Sequence, residues 1–185
     1  MRPRDPHARR PGEVIDMRVA IVYGSRLGAT RGIAEFIAQR LGAAGLDADL
    51  YPAERLVELP SADAFIIGSG VYGQHWMKEA AELVRRNERA LSAHPVWLFS
   101  SGPIGRWALW HDPVEPREIA RFRRTVRPRD HRVFAGALDN STLDASDLSR
   151  VERFVSRRFL AEGDFRDWPA IEAWADGIAR RLSAV

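Results

Sequence analysis

Apolar runs and amphipathic stretches alternate from Met17 to the end of the chain. Val19-Ala20-Ile21-Val22-Tyr23 is unbroken apolar sequence and stops in Gly24-Ser25-Arg26-Leu27-Gly28-Ala29-Thr30. Ile33, Phe36, Ile37 and Leu41 then fall at helical spacing, with Gly42 and Gly45 marking the helix end. Ala48-Asp49-Leu50-Tyr51 reads as a short second strand. Ala64-Phe65-Ile66-Ile67-Gly68 is a continuous apolar run, the pattern of a strand covered on both faces. It ends in Gly68-Ser69-Gly70-Val71-Tyr72-Gly73-Gln74-His75-Trp76, and a helix follows with Ala80, Leu83, Val84 and Leu91 on one face. Residues 95–100 predict the next buried strand, which closes in Ser101-Gly102-Pro103-Ile104-Gly105.

The second half is more polar. A helix is expected over 115–126, a fifth strand over 133–138, and an amphipathic helix around Leu148, Val151, Phe154 and Val155. The last helix opens with Asp167 as its N-cap and Pro169 in its first turn, and buries Ile171, Trp174, Ala175, Ile178 and Leu182. Residues 1–16 hold Pro3, Pro6, Pro11 and four arginines without apolar periodicity. They read as a disordered tail or an overlong gene start, which leaves 17–185 as one domain and Met17 as an alternative start.

Strands alternating with helices imply an α/β fold with a doubly wound parallel sheet. Ligands of such sheets sit outside the carboxyl ends of the strands, where the strand order reverses. Three glycine-rich loops, 24–30, 68–76 and 101–105, leave carboxyl ends here, and their coincidence points to a bound ligand. In the first loop, backbone N–H groups and the start of a helix converge as an anion site. A Walker loop is excluded because no lysine precedes the hydroxyl residue, and the dinucleotide fingerprint lacks its third glycine. The competing reading of this loop alone is a strand-to-helix turn capped by Thr30.

Composition narrows the classes. At 185 residues and 45% hydrophobic, the chain can bury a sizeable core, and no apolar run is long enough to span a bilayer. The absence of cysteine excludes disulfides, thiolate catalysis and cysteine-ligated metals. No metal is expected, because neither His75 nor His111 has a ligand partner at metal spacing in the sequence. The formal charge is +3, and Lys78 is the sole lysine. An electron carrier that docks on basic partners is expected to be acidic instead. Arg117, Arg121, Arg123, Arg124, Arg127, Arg129 and Arg132 form the densest basic run. It reads as a solvated helix face, or as a docking patch for an acidic partner or anionic head groups. Nucleic acid is not an expected partner, since aromatics are not interleaved with this run.

Tyr23-Gly24-Ser25-x-x-Gly28-x-Thr30 resembles the FMN phosphate loop of flavodoxin-like proteins. Ile66-Ile67-Gly68-Ser69-Gly70-Val71-Tyr72-Gly73, Phe134-Ala135-Gly136-Ala137-Leu138 and Phe165-Arg166-Asp167-Trp168 resemble segments of the menaquinone-dependent protoporphyrinogen dehydrogenase and flavodoxin-domain family. The resemblance spans residues 17–182. It implies a flavodoxin-like five-stranded parallel sheet of order 2-1-3-4-5, with helices on both faces, and FMN as cofactor. Ser25, Arg26, Leu27, Gly28, Ala29 and Thr30 would then cradle the phosphate. Ser69, Gly70, Val71, Tyr72 and Gly73 would lie along the isoalloxazine ring, with Tyr72 or Trp76 stacking on it. Backbone N–H groups near Ser101, Gly102 and Gly105 would face the pyrimidine edge. Trp107, Trp110 and His111, with Trp76, would hold a flat apolar substrate, unless the tryptophans simply cover neighbouring helices.

The flavin does the chemistry in this reading, so no catalytic side chain is required. The implied activity is an FMN-dependent oxidoreductase moving electrons from an organic donor to a quinone-like acceptor or redox-partner protein. The alternatives are a flavodoxin-type electron carrier without its own substrate and a domain that has lost its flavin. A cytoplasmic protein without a transmembrane segment, with peripheral contact at the inner face of the membrane, is the expected setting. Residues 139–163 do not match the membrane-associated basic and aromatic stretch of the porphyrinogen enzyme, which separates this chain from that pattern.

Overall fold

The computed structural model describes residues 17–102, 115–138 and 163–184. The chain runs β1 (Arg18–Gly24), α1 (Ala29–Ala43), β2 (Asp47–Pro52), a 3₁₀ turn (Ala53–Arg55), β3 (Ala64–Tyr72) and β4 (His75–Trp76). It continues through α2 (Lys78–Arg86), α3 (Glu88–Leu91), β5 (Val96–Ser101), α4 (Arg117–Thr125) and β6 (Asp130–Phe134). It closes with β7 (Ala137–Leu138), β8 (Gly163–Asp164) and α5 (Trp168–Ser183).

The main sheet has the order β2-β1-β3-β5-β6, and each of these neighbouring pairs is parallel. With the two-residue β4 set aside, this is the expected five-strand order. The chain moves to one edge after β1 and returns to the other side with β3, so the switch point lies between the ends of β1 and β3. The first two glycine-rich loops leave the sheet there.

Each long apolar run is buried on both faces because it lies inside this sheet. Val19, Ile21 and Tyr23 of β1, and Trp97 and Phe99 of β5, pack with α1 and α5. Ala20 and Val22, with Val96 and Leu98, pack with α2 and α4 on the other side. The sheet is therefore the middle of three layers, and its carboxyl edge is left for the loops.

Helix α5 follows its expected boundaries. The Asp167 carboxylate accepts the Ala170 N–H at 3.0 Å, and Pro169 occupies the first turn. Its stripe of Ile171, Trp174, Ala175, Ile178 and Leu182 is buried. Arg40 of α1 ties the two helices by hydrogen bonds to both oxygens of Asp176 at 3.0 Å. Asp167→Ala should cost about 1 kcal/mol of stability by orphaning the capped N–H. Urea unfolding checks this, and an unchanged midpoint would contradict it.

Two boundaries differ from the sequence reading. The fifth parallel strand is Asp130–Phe134, not 133–138, and starts with polar residues because β6 is an edge strand exposed on one side. Ala137–Leu138 leaves the sheet to pair antiparallel with Gly163–Asp164. The helix after the second loop is interrupted at Asn87, whose side chain donates to the Leu83 carbonyl at 2.9 Å. The helix expected around 148–155 lies outside the described residues.

Candidate functional site

The first loop presents an open helix terminus. Gly28 caps α1 in a left-handed conformation (φ +83°) that a side chain adopts only with strain, and it offers no side-chain acceptor. The first turn of α1 carries no acidic residue. Its N–H groups and the positive end of the dipole are thus unanswered by a side chain among the described residues. Thr30 is buried in that turn. The Ser25 hydroxyl oxygen is buried and has no hydrogen-bond partner among the described residues. An orphaned buried hydroxyl costs about 1–3 kcal/mol, and its occurrence in this loop marks a position built for an acceptor supplied from outside.

Close approach explains the glycines around it. A Cβ on Gly24 would meet Ala80 Cβ at 3.1 Å and Met77 Cβ at 3.4 Å, so the loop sits against the start of α2. One on Gly70 would meet Tyr72 Cε2 at 3.1 Å and Thr30 Oγ1 at 3.3 Å. The Tyr72 ring therefore lies beside the first loop, and it is 40% exposed. Burial of its phenol pushes the pKa up, and the nearby Arg26 charge offsets part of that rise. Leu27 and Ala29 are half-buried within the loop and the helix start.

In the second loop, β3 and β4 form a tight hairpin through Gly73 and Gln74, both at positive φ (56° and 68°). Two such residues are what a two-residue turn of this hand requires. Ser69 faces inward: its hydroxyl donates to the Gly70 carbonyl and accepts the Met77 N–H, both at 2.9 Å. Its side chain closes the loop and is not directed at a ligand. Val71 is half-buried, and Gly73 is exposed at the tip.

Trp76 departs from the expectation. It is 4% exposed, donates its indole N–H to Ser100 Oγ at 2.8 Å, and packs edge-on to Phe122. Residues alternate faces along β4, so pairing with Val71 turns Trp76 into the core, where it cannot stack on a ring or hold substrate.

The third loop is partly described. Ser101 is buried, and Gly102 adopts φ +132°. The Gly102 N–H donates to the Phe134 carbonyl at 2.9 Å, so it is not available to a flavin edge. Gly105, Trp107, Trp110 and His111 lie outside the described residues.

Two polar constellations join residues far apart in sequence. Ser100 Oγ lies 2.9 Å from His131 Nε2, and His131 Nδ1 lies 3.1 Å from Glu115 Oε1. Glu115 is held in turn by both Arg123 terminal nitrogens at 2.6 Å. The Glu115 carboxylate can only accept, so His131 donates from Nδ1, and Ser100 donates to Nε2. Ser100 is fully buried, which makes this a structural strut under the third loop.

Burial is the main cause holding the His131 pKa below 6.5, with Glu115 opposing it. The folded protein resists protonation more than the unfolded chain, so this contribution is complete above about pH 6.5 and is lost as pH falls. Urea unfolding at about pH 5 and at neutral pH should show a larger acid loss in wild type than in His131→Gln. Parallel losses would contradict it.

The second constellation was also hidden from the sequence, which offered no partner for His75. Glu118 of α4 places Oε1 2.8 Å from His75 Nδ1, while its Oε2 accepts the Trp76 N–H at 3.1 Å. Burial alone would raise the Glu118 pKa, but the His75 and Trp76 bonds outweigh it and hold the carboxyl low. Among the described residues, no cluster of three or more His, Asp or Glu side chains is placed to hold a metal. No helix among them is long and apolar enough to cross a membrane.

Comparison with known proteins agrees with this layout. The model of the flavodoxin domain matches residues 20–157. Protoporphyrinogen IX dehydrogenase [quinone] of Escherichia coli K12 is 27% identical over 126 residues, covering 66% of this chain and 70% of that protein. An archaeal flavodoxin superimposes with a TM-score of 0.57 at 17% identity, over 90% of this chain and 99% of its own. A flavodoxin variant from Pseudomonas aeruginosa gives 0.54 at 18%, with the same coverage. Rubredoxin oxygen:oxidoreductase of Desulfovibrio gigas gives 0.59 at 15% over 90% of this chain, which spans 36% of that protein. These structural likenesses establish the fold.

A flavodoxin domain implies FMN as cofactor. The orphaned Ser25 hydroxyl, the uncapped α1 terminus and its acid-free first turn fit that cofactor's phosphate. By the match over most of its length, the chain belongs to the flavodoxin domain family.

Proposed function

We propose that the protein is an FMN-dependent oxidoreductase of the protoporphyrinogen dehydrogenase type. It takes electrons from a flat organic donor and delivers them to a quinone-like acceptor. The likeness to the E. coli quinone-linked enzyme carries the activity. The buried, partnerless Ser25 hydroxyl beside an uncapped helix carries the cofactor site. A formal charge of +3 speaks against a carrier that docks on basic partners.

FMN supplies two-electron redox chemistry when bound. The chain's own part is positioning. Residues 25–30 hold the phosphate through backbone N–H groups and the Ser25 and Thr30 hydroxyls, and Arg26 adds positive charge. Gly70, Val71, Tyr72 and Gly73 line the ring, with Tyr72 as its aromatic face. In this reading Ser101 and Gly105 belong to the pyrimidine edge of the cofactor, and Trp107, Trp110 and His111 are the substrate residues. The domain is 17–185 and cytoplasmic, and peripheral contact with the inner face of the membrane would bring it to a quinone.

Anaerobic turnover of protoporphyrinogen with a soluble quinone tests the activity. Flavin reduced by the donor and reoxidised by the quinone is the expected result; flavin that stays oxidised contradicts it. Thr30→Val should weaken FMN by about 0.5–3 kcal/mol through loss of one donor to a charged group. An unchanged dissociation constant would place the phosphate elsewhere.

A further inference from the structure

The β3–β4 hairpin carries, beside the ring-covering Tyr72, a second side chain that cofactor positioning does not use, His75. Tyr72 and His75 are directly opposed across the two-residue turn. Cross-strand partners share a face of the ribbon with Cβ atoms about 5 Å apart. The His75 imidazole is thus brought to the residue proposed to cover the isoalloxazine ring.

Glu118 defines the state of that imidazole. Its side chain is 7% exposed, against 50% for His75, and it is the sole buried carboxylate among the described residues. A carboxylate can only accept, so His75 Nδ1 donates to Oε1, and the remaining lone pair is on Nε2. Among the described residues, Nε2 has no hydrogen-bond partner. The start of α4 already anchors the hairpin without the imidazole. The Arg117 N–H donates to the Gln74 carbonyl at 3.1 Å, and Glu118 Oε2 takes the Trp76 N–H. The second bond of a buried carboxylate, to a half-exposed histidine, is therefore additional to anchoring. It is the carboxylate–imidazole arrangement of a general base.

We propose that His75 is a catalytic proton acceptor at this site and that Glu118 is its positioning residue. The substrate class follows: donors whose two-electron oxidation breaks a C–H and an N–H bond. Such a donor would give up one hydride, two electrons with one hydrogen, to a bound flavin. It also gives up one proton, which His75 Nε2 accepts and later returns to water or to the reduced quinone. The inference rests on the FMN reading above. Among the described residues, the titratable and charged groups around His75 are Glu118 of α4, Arg85 of α2 (3.8 Å from Glu118 Oε1) and Tyr72 of β3, with Arg26 beyond Tyr72.

The test uses FMN-loaded full-length protein. Anaerobic reduction by protoporphyrinogen is followed across pH in wild type, His75→Asn and Glu118→Gln, with dithionite as a reductant that needs no base. His75→Asn should slow reduction by protoporphyrinogen about 100-fold or more and flatten its pH dependence, with FMN affinity and dithionite reduction unchanged. Glu118→Gln should keep part of the rate but move its pH midpoint downward, because a negative partner favours the imidazolium. A purely structural Glu118 would leave that midpoint in place. Equal rates in wild type and His75→Asn would overturn the proposal.

Nitrogen NMR of His75 in oxidised and dithionite-reduced FMN protein gives a readout without substrate. The hairpin places the imidazole beside the ring, so its nitrogen shifts should differ between the two states, and identical shifts in both states overturn the proposal. If FMN binds but protoporphyrinogen never reduces it, the assigned substrate is wrong and this NMR shift decides for the histidine. Failure of FMN to bind overturns both readings.

Discussion

Ala29→Asp is expected to weaken FMN at least 100-fold while leaving the apoprotein as stable as before, or slightly more so. Ala29 is the first residue of α1, beside an N-cap with no side-chain acceptor and in a turn with no acid. For the apoprotein, a carboxylate there complements the dipole and contributes about 0.3–1 kcal/mol. For the holoprotein, the same carboxylate faces a phosphate. Two like charges about 4 Å apart repel by about 4 kcal/mol at the effective dielectric of a protein surface, and several-fold less when screened by water. Even about 2.7 kcal/mol corresponds to roughly 100-fold in affinity. Fluorescence titration with FMN and urea unfolding of the apoprotein read the two effects separately. A variant that binds FMN as tightly as wild type would remove the phosphate from this loop.

Gly68→Ala should be the most damaging small change to the fold, at about 3 kcal/mol. A Cβ at Gly68 would stand 2.0 Å from Phe99 Cζ, and Phe99 is fully buried between the sheet, Phe134 and Trp174. The conflict is with the far edge of a fully buried ring, because β3 and β5 are paired at this position. For a domain of this size, such a loss lowers Tm by about 6–12 °C. Phe99→Leu should itself destabilise, yet in combination with Gly68→Ala the loss should be less than the sum of the two single losses. Simple additivity would show that the glycine is not there to admit the ring.

Much of this architecture was legible because it depends on local pattern. The apolar runs of β1, β3 and β5 are continuous because both faces of those strands are covered. Asp167 and Pro169 announced the start of α5 by the chemistry of an N-terminus. The sheet order came from family resemblance. The first loop was legible as an anion site, although the sequence could not show that Ser25 is buried without a partner.

What escaped the sequence depends on contacts between distant residues. β6 starts with Asp130, His131 and Arg132, polar positions that only an edge strand tolerates. Trp76 sits among loop residues and looks available, but its pairing with Val71 directs it under α4. Gly102 has the freedom of a loop glycine, but its N–H is taken by the Phe134 carbonyl. Ser100 meets His131 across 31 positions of sequence, and His75 meets Glu118 across 43. No spacing rule marks such pairs; they exist because β5 lies beside β6 and α4 packs over the hairpin.

The central claim is that the loop between β1 and α1 holds the phosphate of FMN. Equilibrium titration of the apoprotein with FMN and, in parallel, with riboflavin tests it most directly, since the two differ only in that phosphate. FMN should bind saturably with quenched flavin fluorescence, and riboflavin should bind at least 100-fold more weakly. Riboflavin binding as tightly as FMN, or neither binding at all, would contradict it.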